Sequence, residues 1–368
     1  MKTVCKLDQC AGCMACLDAC PVNAITVKDD VRSFNAVIDE TKCIHCHACE
    51  KTCAQLQAPE FRQPVCWYQG WAESSIRSKS ASGGFASAMM KKFIKDGGVV
   101  CTCVFSKAHF GFQFLERSDQ VPLATGSKYV KSDPSGIYKE LRKRLRSEQR
   151  ILLIGLPCQT AGALRFVGEK ESKNLYTVDL ICHGSPSLII LGTYLKEQGY
   201  SLDTIDSIDF RRNTLYGLFV NHHKIKPENV RDRYTIGFLN SLFYTENCYS
   251  CQYSRTERVT DLTIGDSWDS ELPEAEQKKG ISLVLCQTKK GRTLLDDCGL
   301  TLKEVDLEKA IQANCQLYRP PKKTQEHDRF FSWFEKGKSI KKSVTVCYKK
   351  HCIKQDIKEI IAKIKLPS

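Results

Sequence analysis

Two cysteine runs near the N-terminus constrain this chain more than any other feature. The first is CAGCMACLDACP, with Cys10, Cys13, Cys16 and Cys20, then Pro21. The second is CIHCHACEKTCA, with Cys43, Cys46, Cys49 and Cys53, then Ala54. Each has the spacing C-x2-C-x2-C-x3-C. Three closely spaced thiolates wrap one face of a four-iron cube, and the fourth ligand has to come from elsewhere. Zinc sites use two pairs of ligands and do not call for this triple spacing twice. The runs therefore predict two [4Fe-4S] clusters.

In two-cluster ferredoxins the fourth cysteine of each run serves the other cluster. That rule assigns Cys10, Cys13, Cys16 and Cys53 to one cluster, and Cys43, Cys46, Cys49 and Cys20 to the second. An apolar stretch and a turn precede each run (VCKLDQC, VIDETKC), a weak internal repeat. Ala54 stands where a proline commonly follows the last cysteine, a change expected to tune one potential without removing a ligand. Cysteines already fill both ligand sets, so His45 and His47 read as exposed or supporting groups. Cys5 reads as a spare core thiol.

The chain has 368 residues and 21 cysteines. Its 42% hydrophobic and 26% charged residues are ordinary for a globular protein. No apolar run approaches the ~18 residues of a membrane span, and no signal-peptide core is visible in MKTVCKLDQC. A cytoplasmic, reducing setting is expected, where cysteines are thiols or metal ligands rather than disulfides. The net charge of +13 suits an acidic protein partner, an anionic membrane surface or nucleic acid. No helix-turn-helix, zinc-finger or RNA-binding signature is present, so nucleic acid is not expected.

Two clusters make a one-electron wire, which alone would end near residue 60. About 300 residues follow, after the connection APEFRQPVC, so the body is expected to exchange those electrons. Neither a GxGxxG turn nor a Walker-type loop is present. SKSASGGFASAMMKKFIKDGG reads as a loop entering a helix near Gly83 and ending near Gly97. Ser80 and Ser82 offer caps there, and Gly83, Gly84 and Phe85 open the helix toward an anion. LATGSKYVKSD places Thr125, Gly126, Ser127, Lys128, Tyr129 and Lys131 in one loop, suited to a pyrophosphate or a reduced flavin. An ordinary capped helix and a solvated basic turn are the plain alternatives.

RILLIGLPCQTAGALRFV reads as a strand over 151–155, a Pro turn with Cys158, and a helix. NLYTVDLICHGSPSLIILGTYLKEQG repeats the plan, with Cys182 in the turn and a helix from about Ser187. Strand–turn–helix twice in succession predicts a parallel sheet with both cysteines at carboxyl ends of strands. ENCYSCQYSR adds Cys248 and Cys251. Cys158, Cys182, Cys248 and Cys251 together fit a third four-iron cluster. Two buried thiols beside a zinc half-site fit the spacing equally well. The fold class is α+β / α/β: a bacterial-type 2[4Fe-4S] ferredoxin domain, then an α/β body with candidate flavin- and cluster-binding sites. Boundaries are expected at 1–60 (ferredoxin domain), 61–150 and 151–345 (the two parts of the body) and 346–368 (a basic amphipathic tail helix).

SASGGFAS, GSKYVKS, GLPCQTAG, LICHGSPS, FRRN, NCYSCQYS and DLTIGDSW occur in this order. The ordered set resembles the beta subunits of coenzyme F420-reducing hydrogenase and dehydrogenase, over residues 1 to about 345. The resemblance implies FAD and a body cluster beside it, raising the cluster over the zinc half-site. It also implies flavin contacts at 80–85 and 125–132, with Gly265, Asp266 and Trp268 lining the site. Leu156 replaces a common threonine beside a proposed ligand, and Asp269 replaces a frequent glycine.

The function expected is an iron–sulfur flavoprotein oxidoreductase. Electrons pass between ferredoxin, or another redox protein, and FAD, and a small molecule (coenzyme F420 or another substrate) is reduced or oxidised. The alternative is an electron-transfer subunit of a larger complex with no small-molecule substrate of its own. His183 is the candidate proton donor, since its pKa suits neutral pH; a hydrogen bond to cluster sulfur or backbone is the plainer role. Arg211 and Arg212 suit an anion clamp or a surface ion pair. In the tail, Ile353, Ile357, Ile360, Ile361 and Ile364 share one helical face, expected to pack back onto the body. A dock for acidic ferredoxin is the other reading. The sequence leaves the oligomeric state open.

Overall fold

The computed structural model describes residues 1–212 and 214–365. Asn213 of the FRRN motif and the last three residues of the tail lie outside the described residues. The N-terminal part pairs β1 (Ile25–Asp29) with β2 (Phe34–Ile38) antiparallel. Each cysteine run enters a short helix, Ala15–Ala19 or Ala48–Thr52. The repeat extends to the backbone. Gly12 and Met14 in the first run are left-handed (φ 64 and 60), as are His45 and His47 in the second (φ 54 and 57). A non-glycine residue there costs about 1–2 kcal/mol, so the loops are held curved against local preference.

The body is built on one eight-stranded sheet. Its strands are β3 (Cys66–Trp71), β4 (Val99–Ser106), β5 (His109–Leu115), β6 (Ile151–Gly155) and β7 (Leu175–Leu180), then β11 (Leu262–Asp266), β12 (Ser282–Cys286) and β13 (Thr301–Lys303). Between β7 and β11 the chain forms a separate antiparallel sheet: β8 (Ile208–Arg212), β9 (Leu215–Val220) and β10 (His223–Lys224). The large sheet runs β13-β3-β12-β11-β7-β6-β4-β5. Its four central strands, β11, β7, β6 and β4, are parallel, and the flanks are antiparallel. The sheet spans residue 150 without a break, so the two expected parts of the body share one core.

β6 is buried along its whole length. Leu152 and Ile154 pack on one face with Phe85, Met89 and Phe93, while Ile151 and Leu153 pack on the other with Tyr138, Leu141 and Phe166. A parallel strand covered on both faces reads as an unbroken apolar run for this reason. The carboxyl ends of β4, β6, β7 and β11 therefore open on one edge, where the turns carrying Cys158 and Cys182 emerge.

The tail corrects its reading. Helix Lys349–Lys365 does return to the body, but not through its isoleucines. Ile353, Ile357, Ile360, Ile361 and Ile364 are all exposed, Ile364 at 77%. The helix docks instead through buried Cys352 and a polar face. Asp356 pairs with Arg233 at 2.7 Å, and Glu359 with Lys226 at 3.1 Å. The Gln355 side-chain oxygen accepts the Arg231 N–H at 2.9 Å. The facing surface is cationic, so the acidic face wins the contact and the apolar one is left outside.

Candidate functional site: a cavity beside converging cysteines

β6 leads directly into helix Pro157–Val167, which places Cys158 in the helix's first turn. β7 ends at Leu180, and Cys182 follows two residues later. Cys248 lies in the 3-10 turn Glu246–Ser250, and Cys251 follows it. The fold brings these three segments together. Burial pushes the Cys158 thiol up to about 12, with Lys131 opposing and Cys251 and Cys248 adding to the rise. Burial raises Cys182 further, reinforced by Cys248, Cys158 and Cys251. Four neighbouring thiols in a low dielectric stay protonated until a cation compensates their charge.

The N-terminal cysteines lie near one another. Cys16 is raised by burial and then by Cys13, Cys10, Cys53 and Cys49, and Cys49 by burial with Cys20 among its neighbours. The fourth cysteine of each run thus crosses to the other. Among the described residues no group of three or more His, Cys, Asp or Glu side chains could hold a single metal ion. One zinc draws four sulfurs to about 2.3 Å from a common centre, a tighter arrangement than the corners of a cube. Cys5, expected to be a spare thiol, sits within hydrogen-bonding reach of Cys10 and Cys53. Position alone gave no signal for that.

The first run faces the body and the second faces out. Ile44, His45, Cys46 and His47 are exposed. By contrast, a Cβ built on Gly162 would lie 3.1 Å from the Cys13 sulfur. The Tyr138 hydroxyl donates to the Cys13 carbonyl at 2.6 Å. Lys131 bridges the two parts. Its ammonium donates to the Ala11 carbonyl at 3.2 Å and lies 5.7 Å from the centre of the Phe34 ring. It is drawn to Cys248, Cys158, Cys182 and Cys10, which raise its pKa against burial. Lys131 is thus turned away from the flavin candidate loop and serves the thiols.

Beside these thiols lies a cavity of about 280 Å³, at the small end of ligand pockets. Ser80, Ser82, Gly84 and Phe85 line it, as do Thr125, Gly126, Ser127, Lys128, Tyr129, Cys182, His183, Gly265 and Asp266. Gly83 does not. A Cβ there would lie 2.3 Å from the Gly70 carbonyl oxygen, so Gly83 permits close packing. Ser80 and Ser82 do not cap the helix Phe85–Lys95; their hydroxyls donate to Ile76 and Ile281 carbonyls. The helix starts at Gly84 (φ 88) with no side-chain cap, so its first turn is open to the cavity. Lys128 spends its ammonium on the carbonyls of Ala124, Thr125 and Gly126 and shapes the loop instead of binding a phosphate.

Arg211 is neither a surface ion pair nor a simple anion clamp. It is buried, bonds Asp266 at 2.6 Å, and lies 4.9 Å from the Tyr216 ring centre and 5.0 Å from that of Trp268. Trp268 backs Tyr216. Arg212 pairs with Asp209 at 2.9 Å on a partly exposed strand end. His183 lines the cavity from a solvent-exposed position. Desolvation by its surroundings lowers its pKa, Asp266 opposing and Arg211 reinforcing. Asp269 has φ 52, which accounts for a glycine being frequent there. Ser185, inside LICHGSPS, and Asn314, outside every motif, also line the cavity, and neither carries a role legible in the sequence.

Residues 9–55 match the 4Fe-4S dicluster domain. Residues 148–314 match the family described as the C terminus of the coenzyme F420 hydrogenase/dehydrogenase beta subunit. That match covers the C-terminal part of the body. A curated relative, the F subunit of the F(420)H(2) dehydrogenase of Methanosarcina mazei, is 28% identical over 189 residues, covering 48% of this chain. The chain spans 53% of that relative's length. A chain of the F420-reducing [NiFe] hydrogenase complex from Methanosarcina barkeri, in a xenon derivative, aligns with a TM-score of 0.48 at 16% identity, over 74% of this chain and 94% of that one. Cys10 through Cys53 fall within the first match, and Cys158, Cys182, Cys248 and Cys251 within the second. Among the described residues no helix is long and apolar enough to cross a membrane.

Proposed function

We propose that the chain is an iron–sulfur flavoprotein oxidoreductase. Single electrons pass between a protein partner and FAD, by way of three [4Fe-4S] clusters, and a small molecule is reduced or oxidised at the cavity. The ligand sets are those expected from the sequence, with the units 1–60, 61–150, 151–345 and 346–368. The exposed second run is the port for the partner. The first run, packed on Gly162, hands on to Cys158, Cys182, Cys248 and Cys251. Cys182 belongs to that last set and also lines the cavity, so the wire ends at the cavity wall.

One observation supports a polar cofactor there. Three buried polar atoms without a hydrogen-bond partner, Ser185 Oγ, Asp266 Oδ1 and Asn314 Oδ1, belong to residues around this one cavity. Each such atom costs about 1–3 kcal/mol until a ligand satisfies it. The open helix start at Gly84 suits a phosphate, and Tyr129 stacked on Phe238 at 4.3 Å gives a flat wall for a ring. The chemistry a bound FAD supplies is exchange between single electrons and electron pairs. His183 is placed to hold or pass a proton to a small molecule in the cavity. The relative's name puts coenzyme F420 first among substrates. Its designation as one subunit supports the second reading, a relay within a larger assembly.

Iron and flavin content of anaerobically purified protein tests the proposal. Three clusters give about twelve irons per chain and two give about eight. Cys182→Ala is expected to lose about four irons and keep the N-terminal clusters. Eight irons without flavin would overturn the reading. Flavin bleaching by a deazaflavin supports the enzyme, and bleaching only by a reduced protein supports the relay.

A further inference from the structure

A second concave space of about 590 Å³ lies between the tail helix and the β9–β10 segment. Lys224, Arg231, His351, Lys354 and Lys358 line it, and no carboxylate does. The helix's own acids are turned to other work, Asp356 to Arg233 and Glu359 to Lys226. Among the described residues Arg231, His351, Lys354 and Lys358 have no carboxylate partner. Burial lowers the His351 pKa, and Arg231, Arg233, Lys354 and Lys358 lower it further, so the groove is electropositive around it. Asp232 and Glu228 partly compensate Lys224, whose ammonium also donates to the Pro227 and Val230 carbonyls; the other four cations repel one another, and an anion relieves that. Tyr216 lines both this groove and the main cavity, so the two spaces adjoin.

We propose that the groove binds the anionic extension, phosphate or carboxylate, of the small molecule whose ring is processed in the main cavity. The claim about the ring rests on the proposed function; the claim about the anion does not. The size suits a small ligand, since such sites measure about 300–1,000 Å³. His351, Lys354 and Lys358 lie outside the family match at 148–314, so three of the groove's five cationic residues come from the tail. The tail helix thereby acquires a role that its exposed isoleucines do not suggest.

The test is calorimetric titration of the full-length holoprotein with inorganic diphosphate, and separately with citrate, at low salt. One saturable site is expected for at least one anion. The exposed double variant Lys354→Glu/Lys358→Glu should weaken it at least tenfold. Lys6→Glu/Lys28→Glu, with the same change in net charge on the N-terminal part, should not. Diphosphate preference points to a phosphate-bearing substrate and citrate preference to a carboxylate-bearing one. The site is overturned by an absence of saturable binding, or by equal weakening in both double variants. It is also overturned if Lys354→Glu/Lys358→Glu spares anion binding and slows only electron delivery from a protein. Flavin absorbance in the same samples keeps the readings apart. Anion binding without flavin sinks the redox proposal and leaves the groove; flavin without anion binding does the reverse.

Discussion

Arg258→Met is the substitution whose cost can be worked furthest. Asp179 ends the stretch before Cys182, and its carboxylate meets Arg258 at 3.5 Å with side-chain exposures of 1% for the arginine and 0% for the aspartate. At an effective dielectric of about 20, that distance is worth about 5 kcal/mol of attraction. Burial already raises the Asp179 pKa, and Arg258 is the largest influence opposing it. Without Arg258 the buried acid escapes its penalty only by taking a proton. From an unfolded value near 3.9, protonation at pH 7 costs about 4 kcal/mol, so the loss is capped there. Breaking buried pairs in general costs about 3–5 kcal/mol.

The sign follows from the raised folded pKa. The variant's extra penalty is absent while Asp179 is protonated in both folded proteins, and it grows by about 1.4 kcal/mol per pH unit once the pH passes the raised Asp179 pKa of the unaltered protein. Thermal unfolding of anaerobic holoprotein, followed by circular dichroism at fixed scan rate, should show a drop of about 5 °C at pH 7. The drop should shrink steadily toward pH 5. Arg258→Met/Asp179→Asn should recover most of it. A loss under about 1 kcal/mol, or one that ignores pH and the second substitution, would refute the account.

Other consequences are equally direct. Lys131→Met removes a buried positive charge facing the thiols; at about 8 Å and a dielectric of about 20 that charge is worth about 2 kcal/mol. Cluster potentials should fall by about 90 mV for a one-electron couple, read by an EPR-monitored titration. Gly162→Ala sets a methyl 3.1 Å from the Cys13 sulfur and should cost about 1–3 kcal/mol, with an altered EPR signal from the cluster held by the first run. Glu246 ties the N-terminal part to the body. Burial works against its charge, but Arg32, Lys323 and His327 hold its pKa at about 2. That tie is fully present above about pH 4.5 and weakens as pH falls toward 2, which proteolysis of the 55–65 connection would register. Ile357→Gln and Ile361→Gln, on the exposed tail face, should change stability by under about 0.5 kcal/mol.

Local spacing alone carried the two cysteine runs and the crossing of their fourth ligands, because three thiols within seven residues can reach one cube and little else. It also carried the alternation of strand, turn and helix around Cys158 and Cys182, since an unbroken apolar run between polar turns marks a strand covered on both faces. Periodicity found the isoleucine face of the tail but not which face would dock. That depended on Arg233 and Lys226, contributed by a distant segment, matching the helix's acids.

The same limit applies to single polar residues. Lys128 and Lys131 look alike in GSKYVKS. One turns to the carbonyls of its own loop, and the other reaches Ala11 across the interface. Ser185 stands in LICHGSPS and Asn314 in no motif, and only packing brings them to one cavity. The sequence by itself determined which cysteines form local groups and that the segments before Cys158 and Cys182 are strands of a parallel sheet. Only the tertiary structure decided that Cys248 and Cys251 meet the two strand ends and that the first run faces the body. It also decided that the cavity holds unsatisfied polar atoms. Contacts between residues far apart in the chain leave no period to read; they exist only once burial has selected which surfaces meet.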